Sequence, residues 1–367
     1  MNIRVEPYRC VIGDAAGTPD SSWYNFPSCE RLSDGSFFIT ARKIRGLQDA
    51  KGGAVSVRYR AETGEITPAV SPACRDMAAY PEKGIYMCHV TELEPGHLVA
   101  VYPLIDCDPD LPLFDAQYDG IQPCRCRIVH SHDNGETWNA PQDLTYSLPD
   151  VIIPYKIQKL PQGTVGFPME MHNHYQRPYI EPLQGRFLYS ESGGENFERA
   201  ALFPHAPGIL AGDARCTVDG AGKLTVFFWA FDMENTRDLP VHRTTSTDGG
   251  RTFSPLEATS LRQQITSPFW VEGDTYLCIY QDRFSDTPGI KAALSQDGGL
   301  TWDEARAAPL FRCESRPDSA NPFAAFEQFQ FGYSSLTRIH DRCALATFWH
   351  TNGVTSCISA CRIFIED

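Results

Sequence analysis

One short motif occurs three times in this chain, and an internal repeat of this kind restricts the fold to an array of similar units. The copies are Ser131–Trp138 (SHDNGETW), Ser246–Phe253 (STDGGRTF) and Ser295–Trp302 (SQDGGLTW). Two weaker copies start at Ser190 (SESGGENF) and Arg60 (RAETGEIT). Successive copies are 49 to 71 residues apart, which is the length of one four-stranded propeller blade with long loops.

The motif itself is predicted to be structural. Its Ser ends a strand, and the Asp carboxylate accepts backbone N–H groups within the following turn. The Gly adopts a positive φ without steric cost, and the closing Trp or Phe packs between neighbouring sheets. We therefore expect these aspartates to hold turns rather than to take part in chemistry.

The segments between the motifs predict six similar units. Each has an apolar strand, a tight Asp/Gly or Pro/Gly turn, a second apolar strand, a long loop and a third strand. Residues 4–11 form an additional predicted strand that would complete the last unit and remove exposed sheet edges. The prediction is an all-β, six-bladed β-propeller of four-stranded antiparallel blades over residues 1–367, with the ring closed by the N-terminal strand.

Charge and composition limit the partners of this chain. The formal net charge of −14 disfavours binding to nucleic acids and to anionic membranes. The sequence contains no signal-like apolar segment and no apolar run long enough to span a bilayer, so we expect a cytoplasmic protein. Thirteen cysteines without a CxxC pair favour reduced thiols and no metal site.

The order of strands in a blade predicts where chemistry gathers. The motifs lie at one end of the ring, so the opposite mouth receives the residues before each first strand and those in each long loop. Candidate residues at this mouth, in chain order, are Asn25, Arg42, Arg45, Asp49, Glu170, His172, His174, Arg177, Asp213, Arg215, Arg237, Arg283, Tyr333 and His350. Carboxylates suit acid/base work on a glycosidic bond, and guanidinium groups suit a substrate carboxylate.

The motif copies resemble the Asp-boxes of the sialidase (neuraminidase) superfamily, and the resemblance spans nearly the whole chain. Residues 332–336 (GYSSL) are similar to the sialidase segment that carries a tyrosine nucleophile. The resemblance implies that Tyr333 attacks the anomeric carbon, with Asp213 as its carboxylate partner and Asp49 as the acid/base group. It also implies that Arg283 and Arg237, or Arg215, bind the carboxylate of the sugar, without a cofactor.

One position departs from the family pattern. Sialidases open the first blade with Arg-Ile-Pro, whereas this chain has Asn25-Phe26-Pro27. The first member of the arginine triad is therefore missing from its usual place. Arg42, Arg45 and Arg177 are the candidates to replace it, and a substrate other than sialic acid is the alternative.

The sequence thus predicts a retaining exo-glycosidase that removes a terminal acidic sugar, such as sialic acid, from glycoconjugates. One alternative is a propeller polysaccharide lyase or other glycosidase that uses His172, His174 and Tyr175 on a uronate-containing glycan. A second alternative is a non-catalytic glycan-binding propeller, which the Asn25 departure permits. The sequence does not indicate the oligomeric state.

Overall fold

The computed structural model describes residues 1–13, 22–108, 110–115, 120–144, 152–171, 173–175, 184–318, 326–351 and 355–367. At positions 152, 162, 171, 173, 174, 264–266 and 326 it describes only the backbone.

Six antiparallel sheets form the ring, and we number them as blades 1 to 6 in chain order of their first strands. Blade 1 consists of Trp23–Arg31, Phe37–Ile44, Gly53–Tyr59 and Ile66–Ala69. Blade 2 consists of Gly84–Ile85 with His89–Glu94, then His97–Ile105, Cys124–Ser131 and Gln142–Asp143. Blade 3 consists of Ile152–Pro154 with Gln158–Lys159, then Val165–Met171, Arg186–Ser190 and Arg199–Leu202.

The second half of the ring repeats this arrangement. Blade 4 consists of Ile209–Val218, Leu224–Asp232, Arg237–Asp238 with His242–Ser246, and Glu257–Ala258. Blade 5 consists of Gln264–Glu272, Thr275–Asp282, Gly289–Ser295 and Ala308–Arg312. Blade 6 consists of Phe331–His340, Cys343–Thr351 and Ser356–Glu366, completed by Asn2–Val5 and Arg9–Ile12.

The predicted closure of the ring is confirmed. Both N-terminal strands pair antiparallel with Ser356–Glu366, so the first and last parts of the chain share blade 6. This pairing covers the outer edge of the last long strand, which would otherwise present unpaired N–H and C=O groups. The six-bladed fold of four-stranded antiparallel blades is confirmed with it.

Helical segments in the described ranges are few and short. One short helix, Cys74–Ala79, and the 3₁₀ turns Pro161–Gly163, Glu304–Arg306 and Phe326–Gln328 connect strands. None of the helices in the described ranges is long and apolar enough to cross a membrane. A small separate sheet joins loops of blades 2 and 3, where Gly120–Ile121 pairs with Phe114–Asp115 and with Asn173–His174.

The core lies between the blades, because both faces of the middle strands are covered by neighbouring sheets. Every residue of Thr275–Asp282 is buried, and so is every residue of His97–Ile105 except the first. Such strands form continuous apolar runs rather than alternating ones, which explains the apolar segments of the sequence. The first strand of each blade faces the axis, and residues from all six line a central cavity of 530 Å³.

The repeated motif has one geometry in all three strong copies. In the first, Asp133 accepts hydrogen bonds from the Thr137 amide at 2.9 Å and from its hydroxyl at 2.6 Å. The Ser131 hydroxyl donates to Asp133 and accepts from the Gly135 amide, both at 2.8 Å. The copies at Asp248 and Asp297 repeat these contacts. Each lies between the third and fourth strands of its blade, as predicted.

The aromatic residue that closes the motif packs toward the preceding blade. Trp138 of blade 2 meets Phe38 of blade 1, with ring centroids 6.1 Å apart in an edge-on arrangement. Trp302 of blade 5 meets Phe227 of blade 4 at 5.9 Å in the same way. Large buried ring contacts of this kind hold adjacent blades together.

Candidate functional site

All six first strands interrupt their pairing at the same level, and each gains one residue over its partner there. In blade 6, Gly332 faces Trp349 and Ser334 faces Phe348, so Tyr333 is the extra residue. In blade 3, the first strand advances four residues from Pro154 to Gln158, while its partner strand advances only three, from Met169 to Gly166. The extra residues of the six first strands lie near positions 26, 87, 156, 213, 265 and 333. A bulge of this kind bends the strand and re-aims its side chains.

At three of these bulges the backbone takes a strained conformation. Phe26, Asp213 and Tyr333 have φ values of 49°, 52° and 26°, in a region that non-glycine residues seldom adopt. Conformations of this kind cost about 1–3 kcal/mol each and persist where the surrounding structure holds them. Their occurrence at one end of the axis marks that end as the candidate site.

Tyr333 lies buried at this level, with 4% of its surface exposed. Its hydroxyl lies 3.3 Å from Nε2 of His89, and its ring lies under the guanidinium of Arg215, 4.5 Å from the centroid. Burial raises the pKa of Tyr333 to about 12; Arg215 opposes the rise, and the negative charges of Asp213 and Glu170 add to it. Burial lowers the pKa of His89 to about 3. Both groups are therefore neutral at neutral pH.

Two carboxylates converge beside Tyr333. The hydroxyl of Tyr155 donates to Glu170 Oε2 at 2.5 Å and contacts Asp213 Oδ1 at 3.0 Å. Since both oxygens lie this close to one hydroxyl, they are at most 5.5 Å apart. The amide of Asp213 also donates to Glu170 Oε1, at 3.2 Å. Burial, with both negative charges adding to it, raises the pKa of Tyr155 well above its ordinary value, so Tyr155 remains a hydrogen-bond donor.

Two arginines complete this group. Arg215 is buried, donates to Asp213 at 3.2 Å and lies 4.1 Å from the ring centroid of Tyr155. Arg283 is also buried; it donates to the Phe331 carbonyl at 3.0 Å and covers the ring of Phe329 at 4.0 Å. Burial lowers the pKa of Arg283 to about 10, although Asp213 and Asp238 favour its charge.

Glycines make room for two of these charges. A Cβ atom at Gly332 would stand 2.5 Å from Nη2 of Arg283, and one at Gly212 would stand 2.5 Å from Oε1 of Glu170. Each glycine directly precedes a residue with positive φ, Tyr333 or Asp213. Because neither position has a side chain, Arg283 can lie against the bulge at Tyr333 and Glu170 against the bulge at Asp213.

Asn25 and Arg42 lie opposite each other on the first two strands of blade 1. Both are 1% exposed. Among the described residues, neither side-chain polar atom of Asn25 has a hydrogen-bond partner, and neither does Nη1 of Arg42. Arg42 donates through Nε to the Ile85 carbonyl at 3.0 Å and through Nη2 to the Asp49 carbonyl, and its guanidinium lies 5.1 Å from the Tyr86 ring centroid. Burial lowers its pKa to about 10.

Asp49 lies in a hydrogen-bonded turn. Its carboxylate accepts the amides of Arg45 and Lys51, each at 3.0 Å, and the Arg45 side chain at 3.3 Å. Burial alone would raise the pKa of Asp49, but these contacts outweigh it and hold the pKa below its ordinary value. Arg45 and Asp49 line a cavity of 390 Å³ together with Asp108 and Leu111.

The remaining candidates lie elsewhere or outside the described residues. Arg237 is at the rim, with 67% of its side chain exposed, and pairs with Asp232 at 3.2 Å. His350 is not brought to the central group: it contacts Ser359 at 2.9 Å and Cys357 at 3.4 Å, and stacks on Phe311. His172 and Arg177 lie outside the described residues, and for His174 only the backbone is described, in the small sheet.

Three residues of the group were not predicted from the sequence. His89 begins the second segment of the first strand of blade 2, and Tyr86 and Tyr155 directly follow the first segments in blades 2 and 3. The prediction for the mouth named the residues before each first strand and those in each long loop. These three residues lie instead at an interruption within a first strand. Tyr86 packs against Phe26, with ring centroids 4.8 Å apart, and Phe26 in turn meets Tyr333 at 5.4 Å.

The central cavity lies below this group. It extends from His89, Tyr155 and Tyr333 along the first strands to Arg31, Lys159, Trp270 and Arg338, near the hairpin turns at the motif end. Within the described ranges, no group of three or more His, Cys, Asp or Glu residues is arranged to hold a metal ion.

No protein-family model matches this sequence, and no curated protein matches it either. Solved structures do match. A protein of unknown function from Dyadobacter fermentans superposes with a TM-score of 0.73 at 14% identity, covering 100% of both chains. The α-L-arabinanase of Penicillium chrysogenum, solved with arabinobiose, gives 0.65 at 14% identity over 98% of both chains. A Hadza microbial sialidase gives 0.62 at 18% identity, over 92% of this chain and 65% of its own. The fold is therefore that of the sialidase-like propellers.

Proposed function

We propose that this protein is a retaining glycoside hydrolase that removes a terminal acidic sugar, with sialic acid or a related ulosonic acid as the substrate class. The observation that carries this proposal is the convergence of the phenol of Tyr333, the carboxylates of Asp213 and Glu170, and the guanidinium groups of Arg215 and Arg283. Sialidases are among the structural neighbours of this fold.

The arginines support binding of an anion. Burial lowers the pKa of Arg42 and of Arg283 to about 10, so the carboxylates around them do not offset their desolvation. A substrate carboxylate in hydrogen-bonding contact would supply the missing charge, and planar guanidinium groups suit its geometry. We assign this role to Arg283 and Arg42, with the exposed Arg237 and with Arg215, which already pairs with Asp213, assisting.

A phenol nucleophile fits an anionic substrate, because a carboxylate nucleophile would be repelled by the sugar acid. With a pKa of about 12, Tyr333 is protonated at neutral pH and needs a base as it attacks. Asp213 is the proposed base, and His89, whose Nε2 lies 3.3 Å away, is the neutral imidazole that holds the hydroxyl.

Asp49 is the proposed acid that protonates the leaving oxygen. In the ligand-free protein the hydrogen bonds from Arg45 and Lys51 keep its pKa low. The role therefore requires that bound substrate displaces some of these donors or screens the carboxylate from solvent, since either change raises a carboxylate pKa.

The test is hydrolysis of a 4-methylumbelliferyl sialoside by the purified chain and by Tyr333→Phe. We expect fluorophore release by the native chain and at least a ~100-fold loss in the variant, because a general-base-assisted nucleophile is removed. Tyr276→Phe is the matched control: it also removes a buried hydroxyl, which lies 3.3 Å from Thr225. Turnover by Tyr333→Phe close to that of Tyr276→Phe would contradict the tyrosine mechanism.

The paired carboxylates favour a second candidate, a retaining glycosidase for a neutral or uronate-containing glycan that uses Glu170 and Asp213. Their oxygens lie at most 5.5 Å apart, so the two carboxylates are close together, as the paired carboxylates of retaining enzymes are. An arabinanase is also among the structural neighbours. Loss of activity in Glu170→Gln with activity kept in Tyr333→Phe would select this candidate.

Product analysis separates the remaining alternatives. An unsaturated uronate, detected by its ultraviolet absorbance, would indicate a polysaccharide lyase. Binding of sialosides, arabinosides or uronate glycans without any turnover would indicate a glycan-binding propeller.

A further inference from the structure

The strand that closes the ring places two cysteines and a histidine on one face of blade 6. Cys10 of Arg9–Ile12 lies opposite Ser359, and Cys357 lies opposite His350. Residues two apart on a strand share a face, so Cys357 and Ser359 point the same way. Cys10 and His350, as their direct partners, point that way as well.

These side chains are in contact. The sulfur of Cys357 lies 3.4 Å from Nε2 of His350 and 3.8 Å from the hydroxyl of Ser359. The thiol of Cys10 reaches the carbonyl of Ile12 at 3.5 Å, and the pairing of Cys10 with Ser359 places it diagonally across the strand pair from Cys357. Both cysteines are partly exposed.

The environment of Cys357 differs from that of the core cysteines. Burial raises the pKa of Cys29 and of Cys361 to about 12, which keeps those thiols protonated and unreactive. At Cys357 the hydrogen bond from Cys10 and the contact with His350 outweigh burial and lower the pKa to about 5. A lowered pKa favours the thiolate of Cys357, and the thiolate is the nucleophilic form.

We propose that Cys357 and Cys10 are a peroxide-reactive pair that forms a reversible disulfide between the last and first strands of the ring. In the first step the Cys357 thiolate attacks one oxygen of hydrogen peroxide. The S–O bond forms, the O–O bond breaks, and the departing hydroxide takes a proton to give water.

In the second step the sulfur of Cys10 attacks the sulfenic acid at Cys357. The S–S bond forms and the S–O bond breaks, and the leaving hydroxide takes the proton of the Cys10 thiol as water. Overall two thiols are oxidised by two electrons and one peroxide is reduced to two waters. The cross-link joins strands from opposite ends of the chain, and it is independent of any glycosidase activity.

The test uses the full-length reduced chain treated with equimolar hydrogen peroxide and analysed by peptide mass spectrometry. Cys313 is the internal reference, because it is also partly exposed and its sulfur donates to the side-chain oxygen of Gln330 at 3.3 Å. We expect Cys357 to react at least ~10-fold faster than Cys313, in line with its thiolate character. The product is a peptide pair linking Cys10 to Cys357, with two hydrogens lost, that dithiothreitol separates.

Variants separate the two steps. Cys10→Ser should stop at the sulfenic acid, which dimedone traps on Cys357, and Cys357→Ser should give neither product. His350→Asn should slow the first step. The proposal is wrong if native Cys357 reacts no faster than Cys313, or if Cys10→Ser gives the same products as the native chain. Cys10→Ser and His350→Asn keep the test decisive even if Cys357→Ser does not fold.

Discussion

Tyr333 faces the axis because its strand has one residue more than its partner at that point. The same one-residue excess re-aims Asp213, and Gly332 and Gly212 leave the space that Arg283 and Glu170 occupy. At the scale of single residues the site is therefore built from backbone irregularities rather than from an unusual set of side chains. Backbone strain and buried charged side chains thus occur together at the mouth, where a bound ligand can stabilise them.

At Asn25 the stability cost of building the site can be measured. Two buried polar atoms without partners in the described structure lower stability, and an apolar side chain of similar shape avoids the penalty. Asn25→Leu should raise the free energy of unfolding by about 1–2 kcal/mol and weaken sugar binding. Chemical denaturation and ligand titration provide the two measurements. A destabilised variant would show that the amide is satisfied in the free protein.

At the scale of elements, the Asp motif and the first strands have separate tasks. The motif turns lie at the far rim and fix each blade against the one before it through Trp138, Phe253 and Trp302. The interrupted first strands carry the candidate site at the opposite mouth. Changes in the motif should therefore alter stability without altering chemistry.

Asp248→Ala and Asp297→Ala test this separation. Each removes a carboxylate that accepts hydrogen bonds from Ser, Thr and backbone donors within its turn. We expect the free energy of unfolding to fall by about 1–3 kcal/mol in each variant. Glycosidase turnover per folded molecule should be unchanged. Lost turnover in a fully stable variant would mean that the two ends of the ring have been assigned the wrong way round.

Gly250, the second glycine of the motif copy Ser246–Phe253, tests how the motif packs against the neighbouring blade. Gly250 has a φ of +82°, and a Cβ there would stand 2.5 Å from the Phe187 ring. Gly249 also has a positive φ, of +74°, but its Cβ would meet only the far end of the Arg251 side chain. Gly250→Ala should therefore lower the melting temperature more than Gly249→Ala does. Equal shifts would show that backbone strain alone, and not contact between blades, sets the cost.

At the scale of the molecule, the repeat predicted the six blades, because each unit needs neighbours to cover its faces. Topology then predicted that Tyr333, Asp213, Arg215, Glu170 and Arg283 would gather at one mouth. His89 and Tyr155 were missed because a bulge leaves no local pattern, and its position depends on pairing with a distant strand. The placement of His350 was missed since the face of a strand follows its register.

Acid stability is a property of the whole ring. Hydrogen bonds from Thr137 and Ser131 lower the pKa of Asp133 to about 2; at Asp248, bonds from Thr252 and Ser246 do the same against the effect of burial. An unfolded Asp has a pKa of about 3.9, so these groups stabilise the fold above that pH. The contribution is lost as the pH falls toward 2. Unfolding monitored by circular dichroism should show this loss, with a shallower pH dependence in Asp248→Asn.

The extra residue in each first strand changes how its side chains alternate between the two faces of the strand. Inserting one residue reverses which face every later side chain of a strand occupies. The extra residue thus divides each first strand into a segment at the mouth and a segment along the central cavity, with independent in–out patterns. Residues at the mouth can be exchanged for others without disturbing the alternation below, so new specificities can be grafted onto this ring while its interior stays the same.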